Sequence, residues 1–142
     1  MKKLTAILLI IFTAIGCCAK KETTAGTTTG FTVLKKSDHG GRETAGFVKA
    51  SGPGERKALY TELSIDELPL KDDLKYDIVA VFMGQKNTGG YSITIESIRV
   101  DGTTTYLKKK ETKPEPGGMV SMALTAPYVI VEIPKTGKVV IE

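Results

Sequence analysis

Asp77-Ile78-Val79-Ala80-Val81-Phe82-Met83-Gly84-Gln85-Lys86-Asn87-Thr88-Gly89-Gly90-Tyr91-Ser92-Ile93-Thr94-Ile95 decides how this chain folds. Ile78 to Met83 is an unbroken apolar run with β-branched residues, so it predicts a central strand buried on both faces. From Tyr91 the pattern changes to strict alternation, with Tyr91, Ile93 and Ile95 against Ser92, Thr94 and Glu96. Period two is the signature of a half-buried strand. The apolar phase then flips to Ile98 and Val100, which places a bulge near Glu96-Ser97 or a strand that changes sheets.

The same reading extends outward. Further candidate strands are Phe31–Leu34, Gly46–Ala50, Leu59–Ser64, Thr103–Lys110, Met119–Thr125, Tyr128–Ile133 and Lys138–Ile141. Between them lie Gly40-Gly41, Gly52-Pro53-Gly54, Asp101-Gly102, Pro116-Gly117-Gly118 and Thr136-Gly137, all turn-forming combinations. Ser64 to Leu74 is read as holding a helical turn capped by Ser64, with Glu67 three residues on. Seven to nine short, mostly antiparallel strands imply an all-β fold, a β-sandwich or small barrel, with the sandwich preferred. Lys108-Lys109-Lys110 closes a polar strand and suits a solvated sheet edge; an anionic partner is the other reading.

The N-terminus is organised differently. Lys2 and Lys3 precede Leu4 to Ile15, an apolar run of about 12 residues, where a membrane span needs roughly 20. A signal peptide over residues 1–16 follows. Ala14-Ile15-Gly16-Cys17 resembles a lipobox, which implies acylation of Cys17 and cleavage before it. Several acyl chains hold a protein on a membrane where one holds only marginally. Residues 17–30 are rich in Thr and Gly and read as a flexible tether reaching roughly 20 Å. Residues 31–142 then form one domain, placed by its anchor on a membrane of the bacterial cell envelope, inner or outer.

Composition narrows the function. The formal charge is +4, and loss of Lys2 and Lys3 leaves about +2, too little for nucleic acid. There is no Trp and no basic aromatic stripe for stacking bases. Cys17 and Cys18 are the only cysteines, so the domain has neither a disulfide nor a thiolate metal site. The single histidine, His39, sits in the turn-like Ser37-Asp38-His39-Gly40-Gly41, away from any evident nucleophile. Asp72-Asp73 has nothing nearby to complete an oxygen cage. Neither catalytic residues, nor a metal, nor a cofactor is expected.

What remains is the Gly84–Tyr91 loop. Asn87, Thr88, Gly89, Gly90 and Tyr91 either shape the fold alone or display a recognition surface on a rigid scaffold. Gly117 and Gly118, in Pro114-Glu115-Pro116-Gly117-Gly118-Met119, make a second candidate loop.

These residues carry a family likeness. An apolar strand ending in Gly, followed by Thr88-Gly89-Gly90-Tyr91, resembles the signature of the PrcB C-terminal domain. A second block matches as well, with Pro116-Gly117-Gly118-Met119-Val120 and then Leu124-Thr125-Ala126-Pro127-Tyr128. The resemblance runs from about residue 74 to 142; residues 31–73 match nothing nameable. It implies an accessory lipoprotein subunit that helps an exported protease assemble or persist, and it carries no catalytic residue over. A fainter similarity is to chagasin-type inhibitors of papain-like proteases, through Asn87-Thr88-Gly89-Gly90-Tyr91 and Pro116-Gly117-Gly118, without the proline that family has after the Asn. A structural envelope lipoprotein with no protease link is the remaining expectation.

Overall fold

The computed structural model describes residues 27–28 and 30–142. The predicted signal peptide, the acylated Cys17 and most of the tether lie outside the described residues.

Eight strands and one helix are described: β1 Thr27–Thr28, β2 Thr32–Ser37, β3 Gly46–Ala50, α1 Pro53–Glu62, β4 Tyr76–Phe82, β5 Ser92–Asp101, β6 Thr104–Thr112, β7 Tyr128–Pro134 and β8 Lys138–Ile141. They form two four-stranded sheets in the orders β1-β5-β6-β8 and β2-β7-β4-β3. Every pairing is antiparallel except β6 with β8. The fold is the expected β-sandwich. Thr27 and Thr28, within the stretch read as tether, pair with Val100 and Arg99 of β5.

Burial explains the layering. Strands β4 and β7 lie in the middle of their sheet, and their residues from Asp77 to Phe82 and from Tyr128 to Ile133 are all buried. Side chains alternate across a strand. Val79, Val81, Val129, Val131 and Ile133 therefore face Ile93, Ile98 and Leu107 of the opposite sheet. Ile78, Ala80, Phe82, Tyr128 and Ile130 face outward, against Leu59, Tyr60 and Leu63 of the helical segment. A strand covered on both sides needs no alternation, and hence the continuous apolar run. Each aliphatic side chain so buried contributes roughly 1.5–3 kcal/mol. The phase flip in β5 is a register shift between Ile95 and Ser97, as the alternation implied.

Four expectations are corrected. Leu59–Ser64 is not a strand, because Leu59 to Glu62 is the last turn of α1. Pro53 occupies the first turn, and Glu55 Oε2 accepts hydrogen bonds from the Ser51 and Gly52 amides at 2.8 and 3.3 Å. These bonds satisfy N–H groups at the helix start that have no partner within the helix. Ser64 does not begin a helix but ends one. It takes a φ of +51°, and Ile65 N donates to Tyr60 O at 3.0 Å, closing the helix as a Schellman turn does. Met119–Thr125 is not a strand either; it is a loop whose one bridge is Thr125 with Lys86. The lysine run is an edge only in part. β8 covers β6 along Thr104–Leu107, Lys109 N donates to Glu142 O at 3.0 Å just past that ladder, and the strand is free only beyond it.

Candidate functional site

Register places three loops at one end of the sandwich. Ser37 and Phe82 both pair with Tyr128, Gly46 pairs with Phe82, and Ser92 pairs with Thr112. The connections 38–45, 83–91 and 113–127 therefore leave from the same end. The middle one is no hairpin, since β4 and β5 belong to different sheets. It is a crossover between the two layers.

Backbone hydrogen bonds tie the three together. Lys86 N donates to Thr125 O at 2.7 Å, and Thr125 N returns to Lys86 O at 2.9 Å. Gly89 N donates to Ser121 O at 2.9 Å, and the Thr125 hydroxyl donates to Thr88 O at 2.9 Å. From the other side, Gln85 N donates to Glu43 O and Gly41 N to Ala126 O, each at 2.9 Å. Backbone polar groups are thus satisfied loop to loop.

Two positions of the crossover require glycine. Gly90 has a φ of +85°, and a Cβ there would lie 2.8 Å from Pro114 Cβ. Gly84 has a φ of +79°, and its Cβ would lie 2.9 Å from Ala45 N. L side chains seldom adopt such φ values, and the contacts leave no room for one. Thus Gly90 shapes the fold directly. Gly89 is buried against Ser121.

Of the candidate recognition residues, Asn87 is exposed, while Thr88 and Tyr91 are half-buried. Lys86 Nζ stands 5.8 Å from the centre of the Tyr91 ring, within cation–π reach. Gly117 and Gly118 lie on an exposed turn closed by Gly118 N donating to Glu115 O at 3.0 Å. That turn belongs to the 113–127 loop clasped to the crossover, so the two candidate loops form one platform.

The 113–127 loop also carries what sequence reading missed. Met119, Met122 and Leu124 are 102%, 86% and 62% exposed, three of six large exposed apolar side chains among the described residues. Read as a strand, Met122 and Leu124 would have shared a face, and their exposure was hidden by that assignment. The available signal was Pro116-Gly117-Gly118 just upstream, which starts a loop that does not close into a strand.

Other candidates are placed apart. His39 is exposed, its amide 3.2 Å from Ser37 Oγ and its carbonyl accepting from that hydroxyl. Asp72 and Asp73 diverge: Asp72 accepts from Leu74 N at 2.8 Å, and Asp73 pairs with Arg56 at 2.9 Å. Among the described residues, no three His, Cys, Asp or Glu side chains gather to hold a metal ion.

No curated protein and no solved structure matches the chain. The PrcB C-terminal family model matches residues 78–134, a narrower span than the 74–142 resemblance read from sequence. The matched span runs from β4 through β7 and contains both the crossover and the loop clasped to it. That family is a non-catalytic accessory domain. Residues 78–134 of this chain belong to the PrcB C-terminal domain family.

Proposed function

We propose that this chain is a non-catalytic accessory lipoprotein of the bacterial cell envelope, and that it binds an exported protein partner through the three-loop platform. The partner we favour is an exported protease, whose assembly or persistence the domain supports. One observation carries the binding role: Met119, Met122 and Leu124 stand in solvent on a loop that the crossover holds by backbone hydrogen bonds. Exposed methionines suit an adaptable apolar contact, and clustered exposed apolar groups mark interaction sites. The family membership supports the accessory role, and the protease link rests on the same resemblance. The anchor rests on the Gly16-Cys17 sequence.

Co-purification from the native envelope tests this. The full chain is expected to bring down one exported protein, and the Met119→Ser/Met122→Ser/Leu124→Ser variant to lose it while melting at the same temperature. A variant that retains the partner refutes the platform. Cys17→Ser is expected to move the protein into the aqueous phase of a detergent partition; if the wild-type protein already partitions there, the anchor is wrong.

The adjacency of the Asn87–Tyr91 and Gly117-Gly118 loops also favours a second reading, insertion into the cleft of a papain-like protease. Under it the chain slows papain at micromolar concentration. An unaltered rate removes that reading and leaves the accessory role standing.

A further inference from the structure

Outside the matched family span, α1 and the segment that follows it flank a half-open cavity of about 200 Å³, lined by Pro53, Arg56, Tyr60, Leu68, Leu70 and Asp73. Two of these groups are buried without satisfaction. The Arg56 side chain is 8% exposed; its Nη2 meets Asp73 Oδ2 at 2.9 Å, but its Nη1 has no hydrogen-bond partner. Tyr60 is 5% exposed; the Leu68 backbone approaches its hydroxyl as a donor, and the hydroxyl hydrogen has no acceptor. Leaving a buried donor unpaired costs roughly 1–3 kcal/mol, more when the group is charged. Two such donors on one cavity call for an acceptor between them.

We infer that this cavity binds a small carboxylate, one oxygen taking the free Arg56 Nη1–H and the other the Tyr60 hydroxyl. The guanidinium holds Asp73 through Nη2 and keeps its Nη1–H for a second carboxylate oxygen. Pro53, Leu68 and Leu70 supply an apolar wall for the attached carbon chain. Drug-sized ligands occupy roughly 300–1,000 Å³, so this cavity takes a smaller group, either a free carboxylic acid or the last residue of a peptide. Lys57 and Glu67 also line the cavity, and their opposite charges offset. Recognition therefore rests on the two donors and not on a general positive field. Burial pushes the Tyr60 phenol above its ordinary value, with Arg56 pulling the other way. The hydroxyl is consequently protonated and able to donate at neutral pH.

Calorimetric titration of the full chain in detergent micelles tests the site with acetate, trialanine and trialanine amide. Saturable binding of a carboxylate is expected, with none for the amide. Trialanine binding alone assigns a peptide terminus; acetate binding, with or without trialanine, assigns a free acid. Tyr60→Phe should weaken the interaction about tenfold, the effect of one hydrogen bond to a charged group. Its melting curve checks that the fold survives, since the Leu68 backbone lies beside the hydroxyl it removes. Arg56→Lys should abolish binding, but it also disturbs the Asp73 pair, so Tyr60→Phe is the deciding variant. No heat from either carboxylate up to about 50 mM, far weaker than any useful affinity, overturns the inference. So does equal binding of the amide, or undiminished binding by Tyr60→Phe.

Discussion

Lys86 and Thr125 exchange both of their backbone hydrogen bonds, at 2.7 and 2.9 Å, across 39 positions of sequence. That bridge joins the crossover between the sheets to the loop bearing the exposed methionines. The side chain of Thr125, 3% exposed, adds a bond to Thr88 O at 2.9 Å.

Thr125→Val keeps the shape of that side chain and removes its hydroxyl. It leaves Thr88 O one donor short, and a loss of about 1–2 kcal/mol in urea unfolding is expected. Amide exchange at Gly89 and Lys86 should quicken more than in the strands, since the opening is local.

Gly90→Ala combines a φ of +85° with a Cβ placed 2.8 Å from Pro114 Cβ. Gly40→Ala shares the positive φ, +82°, but meets open space. Strain alone costs about 1 kcal/mol, so Gly40→Ala should lose about that much and Gly90→Ala distinctly more, to about 3 kcal/mol. Equal losses would mean that Pro114 moves aside freely.

The sequence made some of this site visible and concealed the rest, for identifiable reasons. The run Ile78–Met83 announces a doubly covered strand because both its faces are apolar, and the β5 bulge shows because burial fixes the phase of each side chain. Both signals come from residues whose own burial is strong. The helix α1 was hidden because Leu59, Tyr60 and Leu63 cluster late, after a start whose Gly52-Pro53-Gly54 reads as a turn. Pro53 at the first turn with Glu55 two residues on was the available clue. The exposure of Met119 and Met122 was not legible, since apolar residues normally signal burial and only tertiary placement shows which ones stay in water.

Asp77 is fully buried in β4, and Lys49 Nζ lies 3.1 Å from its Oδ2. Lys49 also donates to Thr136 O. Lys49→Met removes the partner and leaves a buried carboxylate unpaired, a loss of about 3–5 kcal/mol at pH 7. Lys49→Met combined with Asp77→Leu should recover most of it in the same urea experiment. A double variant as unstable as the single one would show that the pair stabilises by more than mutual compensation.

Arg42 clasps Glu62 through two hydrogen bonds, at 2.6 and 2.8 Å, tying the 38–45 loop to α1. This hydrogen bonding holds the Glu62 carboxyl below its ordinary value of 4.5. A lowered carboxyl value stabilises the folded state above the unfolded value, and that contribution disappears as pH falls through the folded one. Stability should therefore be level from pH 7 down to about 5 and decline below 4.5, with a shallower decline in Glu62→Gln. The pair is largely exposed, so the difference should be small and shrink in high salt. Identical acid limbs in the two proteins would contradict the linkage.

The platform is tested most directly by placing a photo-crosslinking amino acid at Met122 in the full chain, in its native envelope, with a second probe at exposed Lys135 on the opposite end as control. The account predicts one discrete crosslinked species, containing an exported protein, from position 122 and none from position 135. The same product from both positions, or none from position 122 at any dose of light, would contradict it.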